Sequence, residues 1–532
     1  MTGLSSLVGW RRYAAAYAFG VVAALAFPPF NLIPVLWLSF PALVLLLRGA
    51  PVPPKPSLRA SGLKALAITK ADGRAFAVGW CFAFGLLTLS LYWIAGALFV
   101  DIKKFWWVLP FAIAGLPAFF AFYYGLAALA AKRWGLDRLT GAFFLALCWF
   151  AADMARGHLF TGFPWDITGY VWGDCLPVMQ LTSLVGIEGL TVLTLLLAVV
   201  PVAFLYRPQR EAFLWCGLAL AILGGSATWG AQRMHDVPTT FVPGVRLRLV
   251  QPSTDQTMKW SPEHRQANLE ALMDLTFSAP GQTSVTHYIW PETATAYYLT
   301  EEPEVRRAIA AHMPAGSVLL TGVVRRQIDA NDVLRYYNSF IAMDSNATIS
   351  GGYDKHHLVP FGEYMPLQSV LPFRVISILG TGFTAGDGVH TMRAAGLPPF
   401  GPLVCYEAIF SGDVVEASDP PSFLLNVTND GWYENTIGPA QHFAIARARA
   451  IEDGLPLVRV ANKGITGVVD GYGRITAQIG KDKAGTVDAA LPNSIKGGTF
   501  GEKQENKLPW LIVLATLLPL FFLRFVRKSH NS

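Results

Sequence analysis

The sequence predicts a polytopic bundle of about eight membrane-spanning α-helices joined to one α/β domain of sheets layered with helices. Three observations predict it. Only 15% of the 532 residues are charged against 53% hydrophobic, and mean hydropathy is +0.38, whereas soluble domains carry roughly a quarter charged residues. The deficit is uneven: residues 1–230 and 508–526 are strongly apolar, while 232–507 read as an ordinary water-facing domain. Within that stretch, short alternating strand-like runs are interleaved with helical ones.

A spanning helix needs about 20 mostly apolar residues to cross a hydrocarbon core of about 30 Å. Candidates lie near 13–29, 32–47, 75–98, 105–131, 141–155, 181–206, 212–230 and 509–526. Pro28 and Pro29 end the first, and Asn31 turns the chain into the second. Arg11 and Arg12 before an apolar run imitate a secretory signal. That run is too long for one, and a second follows at once, so it reads as an uncleaved helix. With the amino terminus inside, the inward ends and loops gather Arg11, Arg12, Arg48, Lys55, Arg59, Lys64, Lys70, Arg74, Lys132, Arg133, Arg138, Arg207 and Arg210, joined by Arg524, Arg527 and Lys528 at the end of the chain. The outward loops hold only Lys103, Lys104 and Arg156, a bias that sets orientation. The expected division is 1–231 as the membrane domain with about seven helices, 232–507 as an extracytoplasmic domain, and 508–532 as a returning helix with a short cytoplasmic tail. In the loop Gly162-Phe163-Pro164-Trp165 the aromatics are expected as interface anchors, and Glu188 as a carboxylate at a helix amino end or facing a cavity.

The net charge of +6 does not indicate nucleic acid, because many of the cations sit in loops where topology explains them and no basic run interleaved with aromatics follows. Of five cysteines, only Cys405 belongs to the water-facing domain, which therefore forms no internal disulfide. No CxxC or Cys/His ligand spacing exists, so no metal is expected.

In that domain 245–250 alternates as a half-buried strand, and Ser261 and Pro262 are expected to open a helix running to about Phe277. Strands are expected at 287–290, at 317–320 with 322–324, and in a hairpin over 336–353 turning at 344–346. Further strands are expected at 400–404, 422–427, 457–461 and 464–469, with a long helix at 438–453.

Three of these strands end on a reactive side chain: Glu292 after Trp290-Pro291, Lys355 after Tyr353-Asp354, and Cys405 after Leu403-Val404. Ligands of α/β sheets gather beyond the carboxyl ends of strands, so the three can converge. A carboxylate can take the thiol's proton, an amine can hold the oxyanion formed at an attacked carbonyl, and a thiol at a helix amino end gains thiolate character. The adjacent His356 and His357 are expected to point apart and to serve structure rather than a metal. Arg447 and Arg449 on the long helix are read as packing or ion-pair residues.

These motifs resemble the carbon–nitrogen hydrolase (nitrilase) superfamily. The matching pieces are Trp290-Pro291-Glu292-Thr293, the run Tyr353 to Glu363 around Lys355, Val404-Cys405-Tyr406-Glu407, Asn426 to Trp432, and Ala461 to Gly467. With the Gly162–Trp165 loop and the flanking apolar segments, the chain looks like the membrane branch, the apolipoprotein N-acyltransferases. The resemblance implies a four-layer αββα sandwich, Glu292 as base, Lys355 as oxyanion stabiliser and Cys405 as nucleophile. It assigns supporting places around an acyl pocket to Trp260, Glu363, Tyr406 and Glu407. It implies transfer of an acyl chain from a phospholipid, expected to be phosphatidylethanolamine, to the terminal amine of a diacylated apolipoprotein. It also implies a bacterial inner-membrane location with the catalytic domain in the periplasm, a monomer, and no cofactor. The apolar stretch 364–383 is expected to touch lipid or form a lid. Competing readings are a membrane-tethered amidase hydrolysing a small amide, using the same residues, and a helical transporter or scaffold; scarce intramembrane charge speaks against a transporter.

Overall fold

The computed structural model describes residues 2–51, 69–366, 382–433, 435–500, 511 and 514. The chain forms two compact units, Met1–His235 and Asp236–Lys503.

Among the described residues of the first unit, five helices are long and apolar enough to cross a membrane: Lys70–Val108, Phe111–Trp134, Leu139–Thr161, Thr182–Tyr206 and Gln209–Met234. Trp10–Ala24 is a shorter helix, and Ile33–Gly49 a shorter apolar one. The expected 509–526 segment lies outside the described residues except for Leu511 and Leu514, as do Lys55, Arg59, Lys64, Arg524, Arg527 and Lys528. Helix Lys70–Leu91 starts on a reciprocal cap, Thr69 Oγ1 accepting from Asp72 N and Asp72 Oδ2 from Thr69 N. At Gly20 the backbones of Trp10–Ala24 and Lys70–Leu91 touch: a Cβ there would lie 1.9 Å from Phe82 O, the close approach small residues permit in apolar bundles.

Two expectations are corrected here. Arg156 is not a loop cation. It is 1% exposed near the end of its helix, 3.5 Å from Asp153, with Nε donating to Tyr124 Oη at 3.0 Å. Its Nη1 donates to the carbonyls of Phe163 and Trp165, which folds the Gly162–Trp165 loop onto it. The loop aromatics are accordingly not surface anchors: Trp165 is 1% exposed against Trp93, and Phe163 stacks on Phe120. A guanidinium inside an apolar bundle must satisfy its donors locally, and loop carbonyls do so. Glu188 follows a break at Gly186, where φ is 66° within helix Thr182–Val199.

The second unit is built on two sheets. The first has β1 (Phe241–Gln251), β2 (His287–Trp290), β3 (Val318–Ile328), β4 (Leu334–Asp344), β5 (Ile349–Asp354) and, paired antiparallel to β1, β11 (Gly485–Pro492). The second orders β10 (Ile475–Ile479), β9 (Thr466–Val469), β8 (Leu457–Asn462), β7 (Phe423–Asn429) and β6 (Phe400–Val404). Side chains alternate across each strand. Leu247, Leu249, Ile289, Leu320 and Phe340 meet Phe400, Leu425, Val427 and Val460 in the core between the sheets. On the outer face of the first sheet, Tyr288, Trp290, Leu319 and Ile341 share a core with Leu269, Leu272 and Ile309, from helices Arg265–Phe277 and Pro303–Ala310. Helix Gly438–Asp453 covers the second sheet through Phe443, Ala446 and Ala450. The layers are therefore helix, sheet, sheet, helix.

One local expectation changes: Ser261 does not cap the helix, which starts at Arg265 after a turn. The strand expected over 317–320 with 322–324 is β3, whose antiparallel pairing with β4 runs unbroken through Gly322 from Val318 to Ile328. Strands β10 and β11 and helix Pro303–Ala310 add to the expected elements. Of the apolar stretch 364–383, residues 367–381 lie outside the described residues.

Leu425 is fully buried between the sheets. Leu425→Ala is expected to cost about 2–5 kcal/mol, read as a lowered unfolding midpoint of the detergent-solubilised protein.

Candidate active site

Glu292 follows β2, whose four residues are all buried. The chain turns sharply at Pro291–Thr293, with Thr293 at φ 44°, and lies directly on Gly322 of β3. A Cβ at Gly322 would fall 2.6 Å from Glu292 Cα, and Ala294 N donates to Gly322 O at 3.0 Å. A glycine in mid-strand thus makes room for the turn that presents the acid. Glu292 is 6% exposed, and its Oε1 accepts from Asn338 Nδ2 at 2.7 Å.

Lys355 stands one residue beyond β5, where its N–H prolongs the ladder to Asn338 O. Its Nζ is 2.7 Å from Glu363 Oε2. Glu363 is held by Val359 N, donating to Oε2 at 2.8 Å, and by Asn338 Nδ2, donating to Oε1 at 2.8 Å. One amide, Asn338, therefore bridges both carboxylates.

Cys405 directly follows β6 and opens the turn Cys405–Ile409 with φ 54°, a left-handed elbow that costs about 1–3 kcal/mol. Two buried acids brace it. Glu407 Oε2 accepts from Val404 N at 2.7 Å, while Oε1 accepts from Tyr353 Oη, His356 N and His357 N, tying the cysteine turn to the lysine turn. Asp430 accepts from Arg459 Nη2 at 2.9 Å and from Tyr433 Oη at 2.9 Å, and is 2.9 Å from His442 Nδ1, whose other nitrogen lies 3.2 Å from Cys405 O. Asn426 Nδ2 donates to Leu403 O at 3.1 Å, and its side-chain oxygen accepts from Arg459.

The electrostatics join the three reactive groups. Burial pushes the Cys405 thiol well up, Glu292 pushes it further, and Lys355 offsets them only in part. The expected thiolate character is therefore not present: the sulfur rests as a thiol and needs a base. Burial raises the Glu292 carboxyl too, with Lys355, Asn338 and Lys259 drawing it back and Glu363 pushing it up. Burial works against the Lys355 ammonium, but Glu363, Cys405 and Glu292 outweigh it and hold the amine above its ordinary range. Burial would raise Glu407, but His356 and Val404 N hold it ionised below the usual carboxylate range. The arrangement suits a thiol that passes its proton to a carboxylate and attacks a carbonyl beside a fixed cation.

Residues 246–497 match the Carbon-nitrogen hydrolase family, and residues 19–200 match the Apolipoprotein N-acyltransferase N-terminal domain. An apolipoprotein N-acyltransferase of Rhodopseudomonas palustris is 36% identical over 98% of this chain and 97% of that protein. One from Bradyrhizobium diazoefficiens is 37% identical over 98% and 96%. A solved CN-hydrolase superfamily protein from Xanthomonas campestris is 20% identical with a TM-score of 0.34, covering 46% of this chain and 90% of its own. This chain belongs to the apolipoprotein N-acyltransferase family.

The other residues that the family resemblance singled out take different places. Glu407 faces the backbone of two turns and braces them. Tyr406 is 5% exposed and packs edge-on to His357 and Phe410. Trp260 is half-buried, and its Nε1 has no hydrogen-bond partner among the described residues. His356 and His357 do not point apart: with Asp413 they bring three possible ligand atoms within 4.8 Å. His356 already bridges Glu407 at 2.7 Å and Asp413 at 3.4 Å, however, as a cation would. Arg447 and Arg449 bind Gly473 O and Glu452, as expected of packing residues. A cavity of 760 Å³ between helices Arg265–Phe277 and Pro303–Ala310, lined by Leu269, Glu270, Met273 and Glu304, is bordered by none of the three reactive residues.

Sequence reasoning missed Asn338, Lys259, His442 and Arg459, and met Asp430 only as part of the Asn426–Trp432 motif. Asn338 carried a signal, as a polar residue on the strand facing the lysine strand. The others sit on a turn, a helix and strand β8, and their neighbours are set only by the fold.

Burial opposes protonation of His356, but Asp413 and Glu407 outweigh it and raise the imidazole to about 9. The folded value lies above the ordinary 6.5, so its stabilisation is complete below about 6.5 and lost as the pH rises through about 9. His356→Gln is therefore expected to lower the unfolding midpoint at neutral pH, with the gap to wild type closing above about pH 9.

Proposed function

We propose that this chain takes a fatty acyl group from a membrane phospholipid onto Cys405 and passes it to the terminal amine of diacylglyceryl-cysteine on a lipoprotein. The observation that carries this reading is a buried thiol sharing its electrostatic surroundings with a raised carboxyl and a fixed ammonium, in a chain whose family match extends through the apolar helices.

In the first half-reaction Glu292 accepts the Cys405 proton and the sulfur attacks the donor's ester carbonyl. Lys355 stabilises the oxyanion, its position set by Glu363. Collapse breaks the ester C–O bond, and Glu292 returns the proton to the departing lysophospholipid oxygen. In the second, the neutral amine attacks the thioester, Glu292 takes an amine proton, the carbon–sulfur bond breaks, and Glu292 passes that proton to the leaving sulfur, restoring the thiol and the carboxylate. Exclusion of water protects the thioester from hydrolysis.

A membrane seat follows from substrate physics. Drawing roughly 30 buried methylene groups into water would cost on the order of 20 kcal/mol at about 0.8 kcal/mol each, so donor and acceptor are met where they lie. We assign the donor as phosphatidylethanolamine and the setting as the bacterial inner membrane, crossed about eight times with 232–507 on the periplasmic side. The enzyme acts as a monomer without metal or cofactor.

Intact-mass analysis after incubation with phosphatidylethanolamine is expected to show one fatty-acyl adduct, lost in Cys405→Ala; an adduct that survives that change overturns the reading. Lys355→Met should slow adduct formation by about 10²–10³-fold. Ammonia release from simple amides without lipid would favour hydrolysis instead.

A further inference from the structure

We propose that Lys259 is a second working cation of this site, one that positions the Glu292 turn and supplies the charge against which Cys405 is deprotonated. The inference rests on the reading of Cys405 as nucleophile and Glu292 as base.

Lys259 ends the short turn Gln256–Lys259 after β1, and that loop is clamped to the second sheet. Thr254 N donates to Asn462 Oδ1 at 2.9 Å, Asn462 Nδ2 donates to Thr254 O at 3.0 Å, and Asn429 Nδ2 donates to Gln256 Oε1 at 2.9 Å. Asp255 pairs with Lys463. From this anchored loop the Lys259 side chain, 4% exposed, reaches the acid turn of the first sheet. Its Nζ donates to Glu292 O and to Thr293 Oγ1, each at 3.1 Å. It thus holds the residue at φ 44° and the carbonyl next to it in their unusual geometry.

Hydrogen bonding to a carbonyl and a hydroxyl does not require a lysine, and burying an ammonium costs several kcal/mol unless its charge is used. The charge balance shows the use. Glu292 and Glu363 are opposed in this cluster by Lys355, which leaves one excess negative charge. Lys259 cancels it. When the thiol proton moves to Glu292, the negative charge moves to the sulfur, and Lys259 acts on both places. It therefore stays matched to the anion through the transfer. Removing the charge would favour protonation of Glu292 and of the sulfur, so the base would be spent at a higher pH. Burial pushes Lys259 down to about 8 against the pull of Glu292 and Cys405, so its charge is lost within an accessible range.

The test follows the rate of acyl-adduct formation on Cys405 from phosphatidylethanolamine as a function of pH, in wild type, Lys259→Met and Lys259→Arg. Lys259→Met should be at least about ten-fold slower at neutral pH, with the midpoint of its acid limb about one unit higher, the same factor expressed in pH. Lys259→Arg should recover most of the rate. Its alkaline limb, near 8 in wild type, should move upward because a guanidinium keeps its charge. An unmoved acid limb in Lys259→Met, whatever its rate, reduces Lys259 to a structural residue and overturns the proposal. If Lys259→Met does not fold, an alkaline limb in Lys259→Arg that coincides with wild type overturns it as well. Failure of wild type to acylate Cys405 instead defeats the underlying reading.

Discussion

Charge buried away from water must be balanced on the spot, and the catalytic unit is organised around that requirement. Glu292 and Glu363 are set against Lys355 and Lys259, with Asn338 bonding both acids and a thiol drawing on the same field. Each group is tolerable only because the others are present. In the proposed cycle the same balance serves reactivity, because it leaves a thiol beside a carboxyl of raised proton affinity. A proton can then pass between them without creating net charge in a medium that would not tolerate it.

The fold supplies this balance from segments far apart in the chain. Two of the strand ends that carry the site are bent by residues in strained or close-packed backbone, Thr293 over Gly322 and Cys405 at its own elbow, and Phe361 adds a left-handed residue in the lysine loop. Such conformations persist only where surrounding bonds over-determine them. Glu407 provides part of that constraint, accepting from Tyr353, His356, His357 and Val404 at once. Asp430, fully buried against Arg459 and Tyr433 and beside His442, secures the other flank. These acids do no chemistry in the proposed cycle, yet without them the sulfur and the acid would not be held in place.

The helical unit obeys the same rule in a different solvent. Arg156 is enclosed by Asp153, Tyr124 and two loop carbonyls, Arg133 pairs with Asp72 at 2.8 Å, and Lys132 donates to Leu47 O at 2.7 Å. In an apolar bundle a cation is admitted only with its partners, so these residues fix helix ends and loops.

Composition and patterning alone indicated the division into apolar and water-facing parts, the alternating strands, and the strand ends that carry Glu292, Lys355 and Cys405, while the roles expected of those three came from the family resemblance. Those properties are local: hydropathy, a period of two, and a proline or turn after an apolar run can be read without knowing what lies opposite. Strand β11 was not legible because its place beside β1 is a pairing across more than half the unit. Arg156 was misread as a loop charge because its acceptors come from another helix and a folded loop. The protonation state of Cys405 was misread because a turn predicts helix-end stabilisation, whereas burial and the proximity of Glu292 decide it. Lys259 carried no signal, since a lysine next to a tryptophan is unremarked until two sheets close over it. Tertiary structure alone decided those matters, because the energy of a buried charge depends on its neighbours in space.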